Sequence, residues 1–67
     1  MADVVALAPV LTPEEAAPLL SLSAVALRAR CRRAARRRGR EVQADLGGGI
    51  VAFKMGRSWR VRFPAPT

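Results

Sequence analysis

Apolar and polar residues change their spacing along the 67-residue chain. In residues 13–20 and 24–37, apolar residues recur every three to four positions, which predicts two short helices. Farther along, they alternate with polar residues, which predicts strands at about 42–46, 50–55 and 58–63. The pattern therefore predicts an α+β fold, with two helices followed by a small three-stranded antiparallel sheet.

The first helix has a well-marked start and an internal weakness. Thr12 can cap the helix, Pro13 suits its first position, and Glu15 completes a capping box. Pro18 lacks a backbone N–H and should kink or shorten the helix. We expect its buried side to consist of Ala16, Leu19 and Leu20, with Leu11 folding back against it.

The second helix is predicted to begin after the cap Ser23 and to end before Gly39, which favours a C-terminal stop. At about 100° per residue, its apolar stripe is narrow, so most of the helix should be exposed. The stripe consists of Leu27, Cys31, Ala34 and Ala35. Two helices joined by so short a connection predict a helix-turn-helix.

The last two strands form a hairpin whose register depends on its loop. A two-residue loop at Gly56–Arg57 would place Trp59 opposite Lys54, whereas a three-residue loop ending at Ser58 would gather the large apolar residues on one face. Separate faces bury more apolar area, so we expect the three-residue loop. The apolar face would then carry Val51, Phe53, Met55, Trp59, Val61 and Phe63. With the hairpin as its wing, the predicted fold is a winged helix-turn-helix.

Positive charge is concentrated in the second helix and its exit. The chain has 12 lysines and arginines against five acids, for a net charge of +7. Eight of the arginines lie between Leu27 and Glu41, namely Arg28, Arg30, Arg32, Arg33, Arg36, Arg37, Arg38 and Arg40. So much charge of one sign adds nothing to a core, and it therefore predicts a polyanionic partner. Nucleic acid is the first candidate for this partner, and a solvated basic surface with no partner is the alternative.

The residue types argue against catalysis and metal binding. There is no histidine, the acids are scattered, and Cys31 is the single cysteine, interpreted as a small buried residue. We therefore expect no enzyme activity, no cofactor, no metal and no disulfide, as suits a cytoplasmic protein associated with the nucleoid. The first apolar run is too short for a signal peptide or a membrane span, so no membrane partner is expected.

Three segments follow from these patterns. Residues 1–10 are interpreted as a loosely ordered tail, residues 11–63 as the DNA-binding domain, and residues 64–67 as a second tail. Trp59 is interpreted as a core residue that closes the sheet on the helices, with base stacking as the alternative.

A helix in the major groove and a hairpin beside it define the candidate DNA contacts. The recognition helix would present Val25, Arg28, Ala29, Arg32, Arg33 and Arg36. Among these, Arg28 and Arg32 are the candidates for reading guanine, and Arg36 suits a phosphate. Arg57 would project from the wing, supported by Lys54 and Arg60, and the phosphate backbone would be gripped by Arg30, Arg33, Arg37 and Arg40.

Two segments resemble a known family. They are Leu11-Thr-Pro-Glu-Glu-Ala-Ala-Pro-Leu-Leu-Ser-Leu-Ser23 and Met55-Gly-Arg-Ser-Trp-Arg-Val-Arg62. Both resemble the excisionase group, small winged helix-turn-helix proteins of phages and integrative elements that are related in fold to the DNA-binding domain of MerR-type regulators. This chain departs from the family pattern in having Ser21 where the turn glycine usually stands, and in its longer, arginine-rich second helix.

The resemblance implies a mechanism and partners. Arg28 and Arg32 take the recognition-helix role, and Arg57 and Arg60 the wing role. Several copies would bind adjacent sites on double-stranded DNA, bend it, and bias a site-specific recombinase (integrase) toward excision, while other members act as small transcription regulators. The alternatives are an RNA-binding or ribosome-associated basic protein, a protein-interaction module that inhibits its partner and, last, a membrane-active helix.

Overall fold

The computed structural model describes residues 10–64 as one antiparallel sheet with three short helical segments. The helices are α1 (Pro13–Ala16), a 3₁₀ helix (Ala17–Leu20) and α2 (Ala24–Ala34). The strands are β1 (Val10–Leu11), β2 (Ala35–Arg38), β3 (Glu41–Gly47), β4 (Ile50–Met55) and β5 (Ser58–Arg62). Their order across the sheet is β1-β5-β4-β3-β2.

The predicted fold class was wrong. The described residues are mostly sheet, with five antiparallel strands and two short α-helices, so they do not form a winged helix-turn-helix of two helices and three strands. Two strands were missed. β1 pairs with β5, which places Val10, assigned to the tail from the sequence, opposite Arg62. The rest of that segment, residues 1–9, and residues 65–67 lie outside the described part of the chain.

The start of α1 was predicted correctly. The Thr12 N–H donates to Glu15 Oε1 (2.9 Å), and the Glu15 N–H donates to Thr12 Oγ1 (3.2 Å), which is a complete capping box. α1 ends at Ala16, and the chain tightens into the 3₁₀ helix around Pro18, which cannot donate the next α-helical bond. Burial was predicted wrongly at Leu19, which is 66% exposed, because the tightened turn points Ala17 inward instead.

The connection to α2 contains a left-handed residue. Ser21 has a φ of 57°, a conformation that favours glycine. Ser23 then caps α2 as predicted, since its Oγ accepts from the Ala26 N–H at 3.0 Å.

The predicted C-terminal end of α2 was wrong. The helix ends at Ala34, and Ala35 turns to extended backbone (φ −63°, ψ 134°), so that Ala35 and the three arginines after it form β2. On a helix, these side chains would repel Arg32 and Arg33 one turn earlier. In the hairpin with β3, Arg38 lies opposite Glu41.

A single core lies between the helices and one face of the sheet, which we call the covered face. Its buried residues are Ala16, Ala17, Leu27, Cys31, Ala44, Ala52, Trp59 and Val61. Ala44 and Ala52 lie opposite each other, and their small side chains let α2 approach the sheet closely. The other face, which we call the open face, is not covered by any helix of residues 10–64.

The predicted register of the last hairpin was also wrong. Lys54 lies opposite Trp59 and Phe53 opposite Arg60, so the turn is the two-residue Gly56–Arg57. Gly56 has a φ of +64°, which suits a two-residue turn that follows the strand twist. The covered face takes Ala52 beneath α2, and the larger Val51, Phe53 and Met55 therefore lie on the open face.

Candidate nucleic-acid interface

Two hairpins end level with each other at one end of the sheet. β2 and β3 are joined by Gly39–Arg40, and β4 and β5 are joined by Gly56–Arg57. Because Gln43 pairs with Phe53, Glu41 and Met55 are level, and so are the two turns. Two strand spacings separate the hairpins, or about 10 Å. Each turn therefore presents one arginine at the same end of the sheet.

The flank of α2 that carries Arg28 and Arg32 faces the β4–β5 turn. These two residues lie one helical turn apart, and they line a hollow of about 370 Å³ together with residues from α1, β4 and β5. We call the cationic side chains around this hollow the basic shelf. They are Arg28, Arg32, Lys54, Arg57 and Arg60.

Trp59 supports the basic shelf from beneath. Its side chain is only 6% exposed and belongs to the core, which confirms the core interpretation and leaves no face for a base to stack on. The Lys54 ammonium lies 5.6 Å from the centre of its ring, a cation–π contact. Arg60 Nη1 donates to the Trp59 carbonyl at 2.9 Å. One buried residue thus holds two of the shelf's cations.

A single carboxylate lines the same hollow. Glu14, in the first turn of α1, accepts a hydrogen bond from Arg28 and forms an ion pair with it. This hydrogen bond, with a smaller contribution from the charge of Arg60, holds the pKa of Glu14 below its usual value. Sequence reasoning missed the contact because it joins residues 14 positions apart and depends on how α1 packs against α2.

The other predicted contact residues are spread over the molecule. Val25, which is 74% exposed, and the half-buried Ala29 lie on the outer side of α2. By helical geometry, Arg30 and Arg33 lie on the flank away from Arg28. Arg36 is in β2 on the open face, and Arg37 lies opposite Val42, one pair farther from the turn than Arg38 and Glu41. Arg40 occupies the β2–β3 turn rather than a helix exit. The structure therefore brings five predicted residues together and separates the remainder.

A repeated Gly-Arg pair in the sequence indicates that Arg40 lies in a hairpin turn. Arg38-Gly39-Arg40-Glu41 and Met55-Gly56-Arg57-Ser58 share a glycine followed by an arginine, and each is the closing part of a hairpin. Both glycines have a positive φ, +62° at Gly39 and +64° at Gly56. A glycine before a strand with alternating polarity favours a two-residue hairpin turn over a helix stop.

The open face has a different electrostatic composition. Arg36, Arg38, Gln43 and Asp45 share a broad hollow of about 780 Å³ on this face, so two arginines lie there with one carboxylate and one neutral amide. Beside it, the Arg62 guanidinium lies 5.3 Å from the centre of the Phe53 ring. Cys31 lies on the other side of the sheet, in the core, where burial raises the pKa of its thiol.

Within residues 10–64, no three metal-ligating side chains come together, and no helix has the length and apolar character needed to cross a membrane. Comparison with known proteins found no matching family model, no matching curated protein and no matching solved structure. The assignment of function therefore rests on the geometry of the basic shelf.

Proposed function

We propose that this protein binds double-stranded DNA without catalysing a reaction, and that the basic shelf is its DNA-binding surface. The observation that carries the proposal is the meeting of five cationic side chains around one hollow that contains a single carboxylate. Side chains of the same sign repel one another, so their convergence costs stability unless a polyanion neutralises them.

Shape favours a duplex over a flexible single strand. The shelf combines one flank of α2 with the β4–β5 hairpin turn, and the B-DNA major groove, about 12 Å wide, admits a helix or a two-stranded ribbon. Single-strand binding relies on exposed aromatic rings, whereas Trp59 is buried in the core. Arg32 and Arg57 stand at the shelf without an acidic partner within hydrogen-bond distance in the described residues, so their guanidinium groups are available to bases or phosphates.

The role of the bound protein is proposed from the resemblance. The Thr12–Glu15 capping box and the Gly56–Arg57 turn lie within the two segments that resemble the excisionase group. By that resemblance, copies of the protein bind adjacent sites, bend DNA and direct a recombinase toward excision, or act as a small transcription regulator. Footprinting on the DNA flanking its own gene separates these roles, because adjacent periodic protections indicate an array and a lone palindrome indicates a repressor.

Fluorescence anisotropy with a labelled 20-base-pair duplex tests DNA binding itself. We expect the duplex to bind more tightly than single-stranded RNA of equal length at equal salt, with log K falling linearly against log[salt]. Equal affinity for the two would favour RNA binding. Binding to neither would contradict the proposal, and binding to a protein partner that persists at high salt would favour an interaction module.

A further inference from the structure

We infer that Glu14 is an internal competitor for nucleic-acid phosphate, which keeps Arg28 occupied and so limits sequence-independent binding at the basic shelf. The inference rests on the proposed function and adds a specificity-determining residue to it. It starts from the one ion pair in the described residues, which is formed between Glu14 and Arg28 within the hollow itself.

The position of Glu14 is what makes competition effective. A carboxylate and a phosphate oxygen are both charged acceptors for the guanidinium N–H groups. Glu14 is exposed, so the ion pair is not needed to neutralise a buried charge. The Glu14 carboxylate accepts from Arg28 Nη2 within the hollow, so a phosphate that approached this nitrogen would compete with Glu14 for the same donor. Arg32, one turn farther along the same flank, has no such partner in residues 10–64.

The ion pair makes the two arginines on this flank of α2 unequal in their ability to bind a phosphate. Arg32 can neutralise a phosphate and release a counterion, whereas Arg28 remains neutralised by Glu14 in the complex. Contacts to the backbone carry no sequence information. Without the contact from Arg28 to the phosphate backbone, the affinity for every duplex is lower by the same amount. Contacts to bases at a specific site then make a larger relative contribution to the affinity.

The experiment compares Glu14→Gln with the wild type on a random-sequence duplex. If Arg28 becomes free to neutralise one phosphate, the slope of log K against log[salt] steepens by about 0.9. Affinity then rises at both salt concentrations, and the gain at 50 mM salt is about 3.5 times the gain at 200 mM salt. Asp45→Asn is the matched control, because it changes the net charge equally on the open face and keeps the oxygen that accepts the Gly47 N–H.

Glu14→Gln in an Arg28→Gln background shows whether the gain in duplex affinity depends on Arg28. We expect Glu14→Gln to gain little affinity there. An equal gain in both backgrounds would mean that Glu14 repels phosphate directly, which would overturn the competition. A gain no larger than that of Asp45→Asn would also overturn it.

Folding of the variants is checked by far-UV circular dichroism. If Glu14→Gln fails to fold, single variants of the flank arginines still decide the matter. We expect Arg28→Gln to reduce duplex affinity much less than Arg32→Gln, and equal losses would overturn the inference. Failure of the wild type to bind any duplex would instead defeat the proposed function, so the two failures are distinguishable.

Discussion

The basic shelf and the open face both carry arginines, but they differ in how many cations meet around one hollow. On the shelf, cations from α2, β4, β5 and a turn converge on one hollow above the buried Trp59, with Glu14 as the single acid. On the open face, Arg36 and Arg38 lie among Gln43 and Asp45 along neighbouring strands. Net charge alone therefore does not distinguish the two surfaces, and the proposal of DNA binding rests on the convergence of like charge at the shelf.

The largest expected effect comes from removing two shelf arginines. Arg32→Ala combined with Arg57→Ala should weaken duplex binding strongly. Each residue that reads a base should cost about 1–3 kcal/mol of binding free energy. Each residue that contacts a phosphate should reduce the slope of log K against log[salt] by about 1. Anisotropy titrations at several salt concentrations measure both quantities.

The matched control for that variant lies on the open face. Arg36→Ala combined with Arg38→Ala lowers the net charge by the same amount, and we expect only a small, uniform loss of affinity. If the open-face pair weakened binding as much as the shelf pair, the comparison between the two surfaces would fail.

Adjacent residues of β4 test the difference between the two faces of the sheet. Ala52 is fully buried beneath α2, so Ala52→Leu should lower the free energy of unfolding by about 1–3 kcal/mol through overpacking. Val51→Leu, on the open face, should change it by less than about 0.5 kcal/mol, as for most surface substitutions. Urea denaturation measures both, and equal losses would argue against the register described here.

Two glycine turns at opposite ends of the sheet separate stability from binding. Gly56 (φ +64°) precedes Arg57, whereas Gly48 (φ +62°) lies in the β3–β4 turn at the other end. Changing either to alanine should cost about 1–2 kcal/mol of stability, because a side chain is strained at positive φ. Gly56→Ala should in addition weaken duplex binding, since it re-aims Arg57. Equal binding by the two folded variants would remove Arg57 from the interface.

The smallest effect is the acid dependence of the Glu14–Arg28 pair. The pKa of Glu14 is lowered in the folded protein, so its contribution to stability is present at neutral pH and is lost as the pH falls through the carboxyl range, below about 4.3. The stability difference between wild type and Glu14→Gln should therefore shrink on acidification. A difference that stayed constant from pH 7 to pH 2 would contradict this assignment.

Structural features that depend on residues close together in the sequence were mostly predicted correctly. Features that depend on contacts between distant residues were not. The Thr12–Glu15 capping box and the Ser23 cap depend on residues three positions apart, and the bounds of β4 follow from alternation between two glycine turns. The Gly39–Arg40 turn had a local signal, but the end of α2 at Ala34 did not, because Arg36 takes part in a strand only through its pairing with β3. The hairpin register was missed for a similar reason, since it depends on the small Ala44 and Ala52 that admit α2.

The candidate site divides in the same way. Arg28, Arg32 and Arg57 could be proposed from their positions on a helix and a turn, and they do meet in the structure. The ion pair of Glu14 with Arg28 and the level pair of hairpin turns depend on the packing of α1 against α2 and on the register of β3 against β4. Neither could be predicted from spacing along the chain.

The most direct test of the basic shelf is NMR of the arginine and lysine side chains during titration with duplex DNA. We predict that the signals of Arg32, Lys54 and Arg57 shift first and furthest, while those of Arg36, Arg38 and Arg62 change little. If the largest shifts occurred at the open-face residues and the shelf residues did not shift, the basic shelf would not be the DNA-binding surface.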